Sequence, residues 1–247
     1  MIKFFRHIRQ KLLSEGKTGK YFKYAFGEII LVVIGILIAI QINNWNESKN
    51  DIIYENKVLN EILTALKRDS LLTEGIKTRV QRRDTAIANL IKYIKSGVVE
   101  TDSIFIKNLK DANTGIKISF DNGAYEALKS KGLEFIRNET LRSQIVNIYE
   151  VHFPRNEIFG DEKRTDYIIG KIEKELEILY DFHIESQDNV NRMVESVTLN
   201  SIEKINALKR YIHIQNDISE YYKEHLDRQT RYINSLLVPM RQELDKL

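Results

Sequence analysis

The chain of 247 residues carries a formal net charge of +3, from 38 basic and 35 acidic residues. It contains no cysteine, which excludes disulfides, thiol catalysis and thiolate metal sites. Most of the basic excess precedes residue 24, and no basic patch with interleaved aromatic residues follows, so we expect no nucleic-acid binding. Only two prolines, Pro154 and Pro239, interrupt a sequence rich in Glu, Lys, Ile and Leu, which predicts an all-α protein.

Residues 1–23 form a predicted cytoplasmic basic amphipathic tail. Within it, residues 2–13 place Phe4, Ile8 and Leu12 on one helical face and mostly basic side chains on the other, as in a helix that lies in the inner leaflet. A disordered basic tail that only sets the membrane orientation is the alternative. The glycines within residues 14–20 predict a hinge before the next helix.

Residues 24–45 are predicted to form a transmembrane helix. A helix that rises about 1.5 Å per residue covers roughly 31 Å from Tyr24 to Trp45, which places these two rings at the membrane interfaces. Seven basic residues and one acid precede the apolar run. The positive-inside rule therefore predicts a single-pass protein of the inner (cytoplasmic) membrane, with a cytoplasmic N-terminus and a periplasmic or extracytoplasmic C-terminal domain. A cleaved signal peptide is disfavoured by the long basic region and by a poor cleavage site at residues 39–41.

Three residues within this span are candidates for function or packing. Glu28 lies about 6 Å inside Tyr24 along the helix, and an ionisable group there is a candidate functional residue. It either handles protons, as in single-pass partners of ion-driven motors, or reaches the inner headgroups and pairs with Lys20 or Lys23. Gly35 and Ala39 form a small-xxx-small pair that permits close approach of a second helix.

Two blocks of the sequence resemble a known family. The first comprises FFRHIRQKLL and YFKYAFGEIILVVIGILIAIQINNWNE within residues 4–47, and the second comprises AYEALKSKG at 124–132 and NETLR at 138–142. They are similar to a family of single-pass membrane proteins of unknown function that is abundant in Bacteroidota. The resemblance implies an anchored helical domain. It implies no activity, so no functional residue is carried over from the family.

A long helix is predicted from about residue 46 to residue 95. Apolar residues recur every seven positions from Ile52 to Ile94, with Thr73 at the centre, and a second set three residues further on holds Ile62, Ile76 and Leu90. Charged residues occupy alternate steps of that second set, namely Glu55, Asp69 and Arg83. This pattern favours packing within one chain over a free coiled coil. Gly75 offers an alternative, a hairpin that divides the helix.

The remaining residues predict shorter elements and two further helical regions. Residues 103–109 are expected to form a short helix, residues 116–120 an extended segment, and residues 121–132 a helix capped by Asp121. Asn138 caps the next helical region, which is expected to run to His183 either as two collinear helices or as one helix kinked near Pro154. A turn at 186–189 precedes a last helical region from about residue 190. The domain from 46 to 247 is thus predicted to be an elongated antiparallel helical bundle.

No catalytic, metal-binding or cofactor-binding constellation is found in the sequence. The five histidines are scattered, and none belongs to a metal-binding motif; His152 and His183 fall on apolar stripes, as core or rim histidines do. We therefore expect no enzyme and no cofactor. The predicted function is a membrane-anchored scaffold or interaction module, with the lipid bilayer and a protein partner or second copy as its partners. A ligand-sensing bundle that relays to a partner protein, or a stator-like subunit that uses Glu28, are the alternatives.

Overall fold

The computed structural model describes residues 18–98, 103–162, 166–187 and 190–246, so the predicted amphipathic segment at 2–13 lies outside the described residues. The chain divides into two compact units, with the boundary between Glu55 and Asn56. Most of the described residues are helical, and the remainder includes one two-stranded sheet. The predicted boundary between the transmembrane helix and the following domain, at residue 45, stays a prediction.

Helix α1 extends without interruption from Thr18 to Ser96. Gly75 lies inside it, so the alternative of a hairpin at this residue is wrong. The helix ends before Gly97, whose φ of 67° lies in the left-handed region that glycine adopts readily. The apolar seven-residue repeat is buried from Leu59 to Ile87, as the sequence predicts; its members Leu59, Leu66, Val80 and Ile87 are at most 2% exposed.

The three charged residues of the repeat, Glu55, Asp69 and Arg83, are also buried. Arg83 is 1% exposed; its Nη1 donates to the Thr114 carbonyl at 2.5 Å and its Nη2 to Oε1 of Gln215 at 2.9 Å. The guanidinium also lies over the Tyr222 ring, 5.4 Å from its centroid. Asp69 is 2% exposed and is likewise hydrogen-bonded. Polar positions in this face are therefore core positions with specific partners.

The middle of the chain consists of short elements. They are α2 (Ser103–Ala112), α3 (Gly123–Lys131), a 3-10 turn (Leu133–Phe135) and α4 (Glu139–Asn147). Between α2 and α3, Ile116 and Ile118 are buried while Lys117 and Ser119 are exposed, the alternation expected of an extended segment. Asn138 caps α4 as predicted, because its side chain accepts the Leu141 N–H at 3.1 Å.

A π-helical turn (Ile148–His152) joins α4 to α5 (Phe153–Glu162). Pro154 is the second residue of α5, and its missing N–H cannot bond the carbonyl four residues earlier. The wider π turn directly before it absorbs this defect. The sequence placed a kink near Pro154; in the structure the irregularity is this π turn.

The all-α prediction is wrong at one place, between residues 180 and 197. Helix α6 (Asp166–Leu179) ends before His183, and it is followed by strands β1 (Tyr180–Gln187) and β2 (Val190–Val197). The strands pair antiparallel, with Tyr180 opposite Val197 and Gln187 opposite Val190. Tyr180, Phe182 and Ile184 alternate with polar residues, and this period of two belongs to a strand.

Helix α7 (Ile202–Leu244) is the last element, and the side chain of Ser201 caps it by accepting the Lys204 N–H at 3.2 Å. Its buried face includes the predicted Leu208, Ile212, Ile218 and Leu226. These residues share one hydrophobic core with side chains of α1, α2, α6 and the end of β2, among them Leu90, Phe105, Ile172 and Val197. This core belongs to the unit that begins at Asn56.

Candidate functional site

The residues predicted to face the membrane all lie on the first part of α1. The ring of Trp45 is 65% exposed and has Nζ of Lys49 5.7 Å from its centroid. Tyr24 is helical. Ala39 is exposed, and a Cβ built on Gly35 has no atom within 4 Å. Because a helix turns about 100° per residue, Glu28, Gly35 and Ala39 lie within about 20° of one face.

Among the described residues, one helix is long and apolar enough to cross a membrane, and it lies near the N-terminus. Its most apolar window has a mean hydropathy of 2.6, and none of that window is buried. A core helix of a water-soluble domain would bury this surface. The apolar side chains between residues 26 and 42 are instead 44% to 65% exposed.

The unit that begins at Asn56 carries an open groove of about 640 Å³, which we call the Arg68 groove. One wall belongs to α1 and presents charged and polar side chains of both signs, Lys57, Asn60, Glu61, Thr64 and Arg68. The other wall belongs to the start of α3 and presents Asp121, Gly123, Ala124 and Ala127. Small side chains on this second wall allow a bound chain to approach the helix closely.

Two aspartates join the walls of the Arg68 groove. Both carboxylate oxygens of Asp69 accept the backbone N–H of Asp121, at 3.2 and 3.1 Å. Nη2 of Arg68 donates to Oδ2 of Asp121 at 2.6 Å, while Oδ1 of Asp121 accepts the Gly123 N–H at 3.0 Å. The N-cap position of α3 is Asn122, so the prediction that Asp121 caps this helix is wrong by one residue. Asp121 instead bonds the Gly123 N–H from outside the helix and fixes α3 against α1.

Burial raises the pKa of Asp69 above its ordinary value of 3.8. The negative charge of Asp121 acts in the same direction, whereas the Asp121 N–H and the charge of Arg68 oppose the shift. Burial and the two aspartates also raise the pKa of the Tyr149 hydroxyl. Asp69 and Tyr149 are thus buried next to Asp121, in surroundings that disfavour further negative charge.

Stacked aromatic rings support α3 from behind. The rings of Tyr125 and Tyr149 are parallel within 11°, with centroids 4.7 Å apart. The Tyr125 hydroxyl donates to Oε1 of Glu150 at 2.7 Å, and Nζ of Lys129 lies 2.6 Å from the same oxygen. The bonds from Lys129 and then Tyr125 lower the pKa of Glu150. Phe153 packs edge-on against Tyr149, with centroids 5.2 Å apart.

Sequence reasoning missed the Arg68 groove, although it singled out both segments that form it. Residues 57–68 were assigned to a long helix and residues 121–132 to a capped one. Their juxtaposition depends on contacts across about fifty residues of sequence, such as Arg68 to Asp121. The small residues Gly123, Ala124 and Ala127 were the available signal, because they leave one side of a short helix without bulk.

His152 and His183, the two histidines predicted to lie on apolar stripes, occupy different places in the structure. His183 lies on the exposed hairpin, 3.1 Å from Oε1 of Glu185, so its expected place in a core or rim is wrong. His152 is half-buried and stacks on Tyr232, with centroids 4.6 Å apart. Within the described ranges, no group of three or more His, Asp or Glu side chains is arranged to hold a metal ion.

These features define a largely helical protein with one helix apolar enough to cross a membrane and a grooved domain that begins at Asn56. The chain belongs to a family of unknown function, DUF6090, whose model matches residues 28–168. The matched range begins inside the apolar stretch of α1, and it includes both walls of the Arg68 groove and the second of the two blocks that carry the resemblance. No curated protein and no solved structure matches the chain.

Proposed function

We propose that the chain is a single-pass membrane protein whose helix from Tyr24 to Trp45 anchors an extracytoplasmic helical bundle that binds another protein. The exposed apolar window of α1 is the observation that carries this proposal. In water, a stretch with a mean hydropathy of 2.6 and no buried part leaves a large unfavourable surface. Lipid removes that cost, since about 20 apolar residues in a helix match a hydrocarbon core.

The charge pattern supports the orientation. Seven basic residues precede the apolar run against one acid, which favours a cytoplasmic N-terminus at the inner membrane. Alkaline phosphatase fused after residue 247 should be active, and fused before residue 1 it should be inactive. Activity only of the N-terminal fusion would reverse the localisation.

The proposed bundle comprises α1 beyond Asn46, together with α4 to α7, packed antiparallel. Buried side chains of α1 and α7 in one core support this arrangement, as do the contacts of α4, α5 and α6 with α7. We propose no catalysis and no cofactor for the domain, since its sequence contains no catalytic or metal-binding motif. Its role is to present a surface to a partner.

We place the partner site in the Arg68 groove. Its polar wall offers both charge signs for orientation, and its wall of small residues offers close contact. Ala127 is exposed, so Ala127→Arg fills the groove without disturbing the core. Ala88, an exposed residue of α1 outside the groove, provides the matched control Ala88→Arg.

The experiment is affinity capture of the full-length protein in mild detergent after cross-linking in its native cells. We expect a partner, or a second copy, that the wild type and Ala88→Arg retain and that Ala127→Arg loses. Retention by Ala127→Arg at the wild-type amount would exclude the groove. Equal membrane levels of the three proteins, measured by immunoblot, are the required control.

A stator-like role of Glu28 is the second candidate, since Glu28 shares a helix face with Gly35 and Ala39. The anchor proposal instead assigns Glu28 to the inner headgroup layer. Glu28→Gln keeps the shape and removes the titratable charge, so the anchor proposal expects normal function at normal abundance. A phenotype equal to deletion of the gene, with normal membrane insertion, would favour ion coupling or pairing with a partner helix.

A further inference from the structure

A second cavity, of about 230 Å³, lies between the π turn, α5 and α7. It is lined by His152, Arg155, Asn156, Arg228 and Tyr232, and we call it the Arg228 pocket. It is smaller and more enclosed than the Arg68 groove. None of its five lining residues is acidic, and two of them carry a permanent positive charge.

The π turn gives the pocket its shape. His152 is the last residue of that turn, and its ring stacks on Tyr232 with an angle of 20° between the planes. Its Nε2 lies 3.1 Å from Nδ2 of Asn147, a contact that orients the ring from α4. Single π turns inside α-helices occur often at functional sites, because they redirect side chains that a regular helix would place elsewhere.

A buried network of hydrogen-bonded polar side chains lies behind the pocket wall. Asn156 is 3% exposed, and its Nδ2 donates to the His225 carbonyl at 3.1 Å and to Oε1 of Gln229 at 3.0 Å. Nδ1 of His225, a residue 2% exposed, donates to Oδ1 of Asn156 at 2.8 Å. These bonds fix the orientation of the Asn156 side chain at the pocket wall.

One hydrogen-bond donor of the same network is unsatisfied. Gln229 is 1% exposed, and its Nε2 has no hydrogen-bond partner among the described atoms. A buried unpaired amide donor is costly, and a native structure rarely keeps one without a ligand or ordered water nearby. Gln229 does not line the pocket itself, but its Oε1 accepts from Asn156, which does.

We propose that the Arg228 pocket binds a small oxyanion, the carboxylate or phosphate group of a metabolite-sized ligand. Arg228 and Arg155 supply the charge and the forked donors that match such groups. Asn156 shapes the wall between them, because both of its N–H donors already bond to His225 and Gln229. Glu224 pairs with Arg228 at the surface and thereby holds its guanidinium in place. The volume admits one anionic group and a few further atoms, so a large cofactor is excluded. This site is separate from the Arg68 groove and does not depend on the function proposed for it.

The test is isothermal titration calorimetry of the full-length protein in detergent with inorganic phosphate and, separately, succinate, at ionic strength held constant with potassium chloride. The two arms distinguish a phosphate site from a carboxylate site. We expect saturable binding of at least one anion. Arg228→Gln should weaken it about tenfold or more, because a charge-assisted bond is lost. Arg231→Gln, an exposed residue of α7 outside the pocket lining, is the matched control and should bind like the wild type.

Two results would overturn the proposal. One is the absence of saturation by either anion up to about 10 mM, beyond the range of weak specific binding. The other is an equal loss in Arg228→Gln and Arg231→Gln, which would show attraction to general surface charge. A second variant, Asn156→Asp, puts a negative charge at the wall and should abolish binding; circular dichroism establishes that it is folded. Anion binding without partner capture would support the Arg228 pocket and not the Arg68 groove. Partner capture without anion binding would support the groove and not the pocket.

Discussion

Two stretches of α1 have the same backbone conformation and opposite surroundings. Between residues 26 and 42 the apolar side chains are 44% to 65% exposed on every side of the helix. Between residues 58 and 90, Leu59, Leu66 and Leu90 are fully buried, while neighbours such as Asn60 and Lys67 face water. Apolar content alone therefore does not distinguish the two. The distribution around the helix does, because a domain core covers one face whereas lipid surrounds all faces.

Arg83→Ala should have the largest effect in the buried stretch. It leaves the Thr114 carbonyl and the Gln215 side chain without their donor and opens a cavity beside Tyr222. We expect a loss of about 3–5 kcal/mol in the free energy of unfolding, measured by urea denaturation. The neighbouring Arg82 is exposed, and Arg82→Ala should change stability by less than about 0.5 kcal/mol. Equal effects would show that Arg83 is accessible to water.

Leu66→Ala tests the apolar positions of the same face. Leu66 is 0% exposed, so its truncation should cost about 2–5 kcal/mol of unfolding free energy. Leu72, which is 60% exposed on the same helix, is the control, and Leu72→Ala should be nearly neutral. A reversed order would mean that another face of α1 forms the core.

Leu37→Lys and Leu71→Lys compare the two stretches directly. Both leucines are exposed, at 59% and 75%. If lipid surrounds Leu37, the lysine there should cost about 3 kcal/mol of insertion free energy, whereas Leu71→Lys in water should cost almost nothing. The fraction of protein that resists alkaline extraction from membranes measures the difference. Identical extraction of both variants would place water around both residues.

Asp69→Asn tests the buried acid through pH. Because its pKa is raised, Asp69 contributes most below its ordinary value of 3.8, and that contribution is lost as the pH rises through the native pKa. The stability of the wild type relative to Asp69→Asn should therefore fall as the pH increases from about 4. Urea denaturation at a series of pH values measures it. Asp245→Asn, which removes one exposed carboxylate from the other end of the sequence, is measured in parallel as the control for surface charge.

Gly75→Ala should have the smallest effect, a gain of about 1 kcal/mol in unfolding free energy. Gly75 lies in the interior of α1, and a Cβ built on it meets no atom within 4 Å. Thermal unfolding followed by circular dichroism measures the gain. A destabilised variant would show that the glycine is needed for a bend or a close contact.

Much of α1 could be predicted from the sequence because its signals are local and repeated. The seven-residue spacing from Leu59 to Ile87 identified the buried face, and Gly97 marked the end of the helix. The charged residues within that face indicated packing inside one chain, but the sequence did not identify their hydrogen-bond partners. Arg83 contacts Gln215, which is 132 residues away, and no periodicity reveals such a pair.

In the segment that forms the β-hairpin, the apolar residues fit both the spacing of a helix and the alternation of a strand. Leu176, Leu179 and His183 are spaced like one face of a helix, whereas Tyr180, Phe182 and Ile184 alternate like a strand. The helical spacing continued a segment already assigned as helix, and the alternation was overlooked. The two-residue connection after Gln187 favours the strand interpretation, because antiparallel strands are joined by turns of that length.

The Arg68 groove and the Arg228 pocket could not be predicted because each is formed by segments distant in sequence. Asp121 was predicted to cap a helix, whereas its contacts with Arg68 and Asp69 can be read only from the tertiary structure. The π turn at residues 148–152 has no reliable local signal beyond the proline that follows it.

The buried charges of α1 also determine its axial alignment against its neighbours. A slide of α1 by seven residues, about 10.5 Å, would still place apolar side chains of the repeat in apolar sites. It would, however, move Asp69 to the place of Ile62 or Ile76, away from the Asp121 N–H. A slide by fourteen residues in one direction would bring the guanidinium of Arg83 against that N–H, donor against donor. In the other direction it would bring the carboxylate of Asp69 against the Thr114 carbonyl, acceptor against acceptor. Alternative alignments that the leucines and isoleucines tolerate are thus excluded by two ionised side chains.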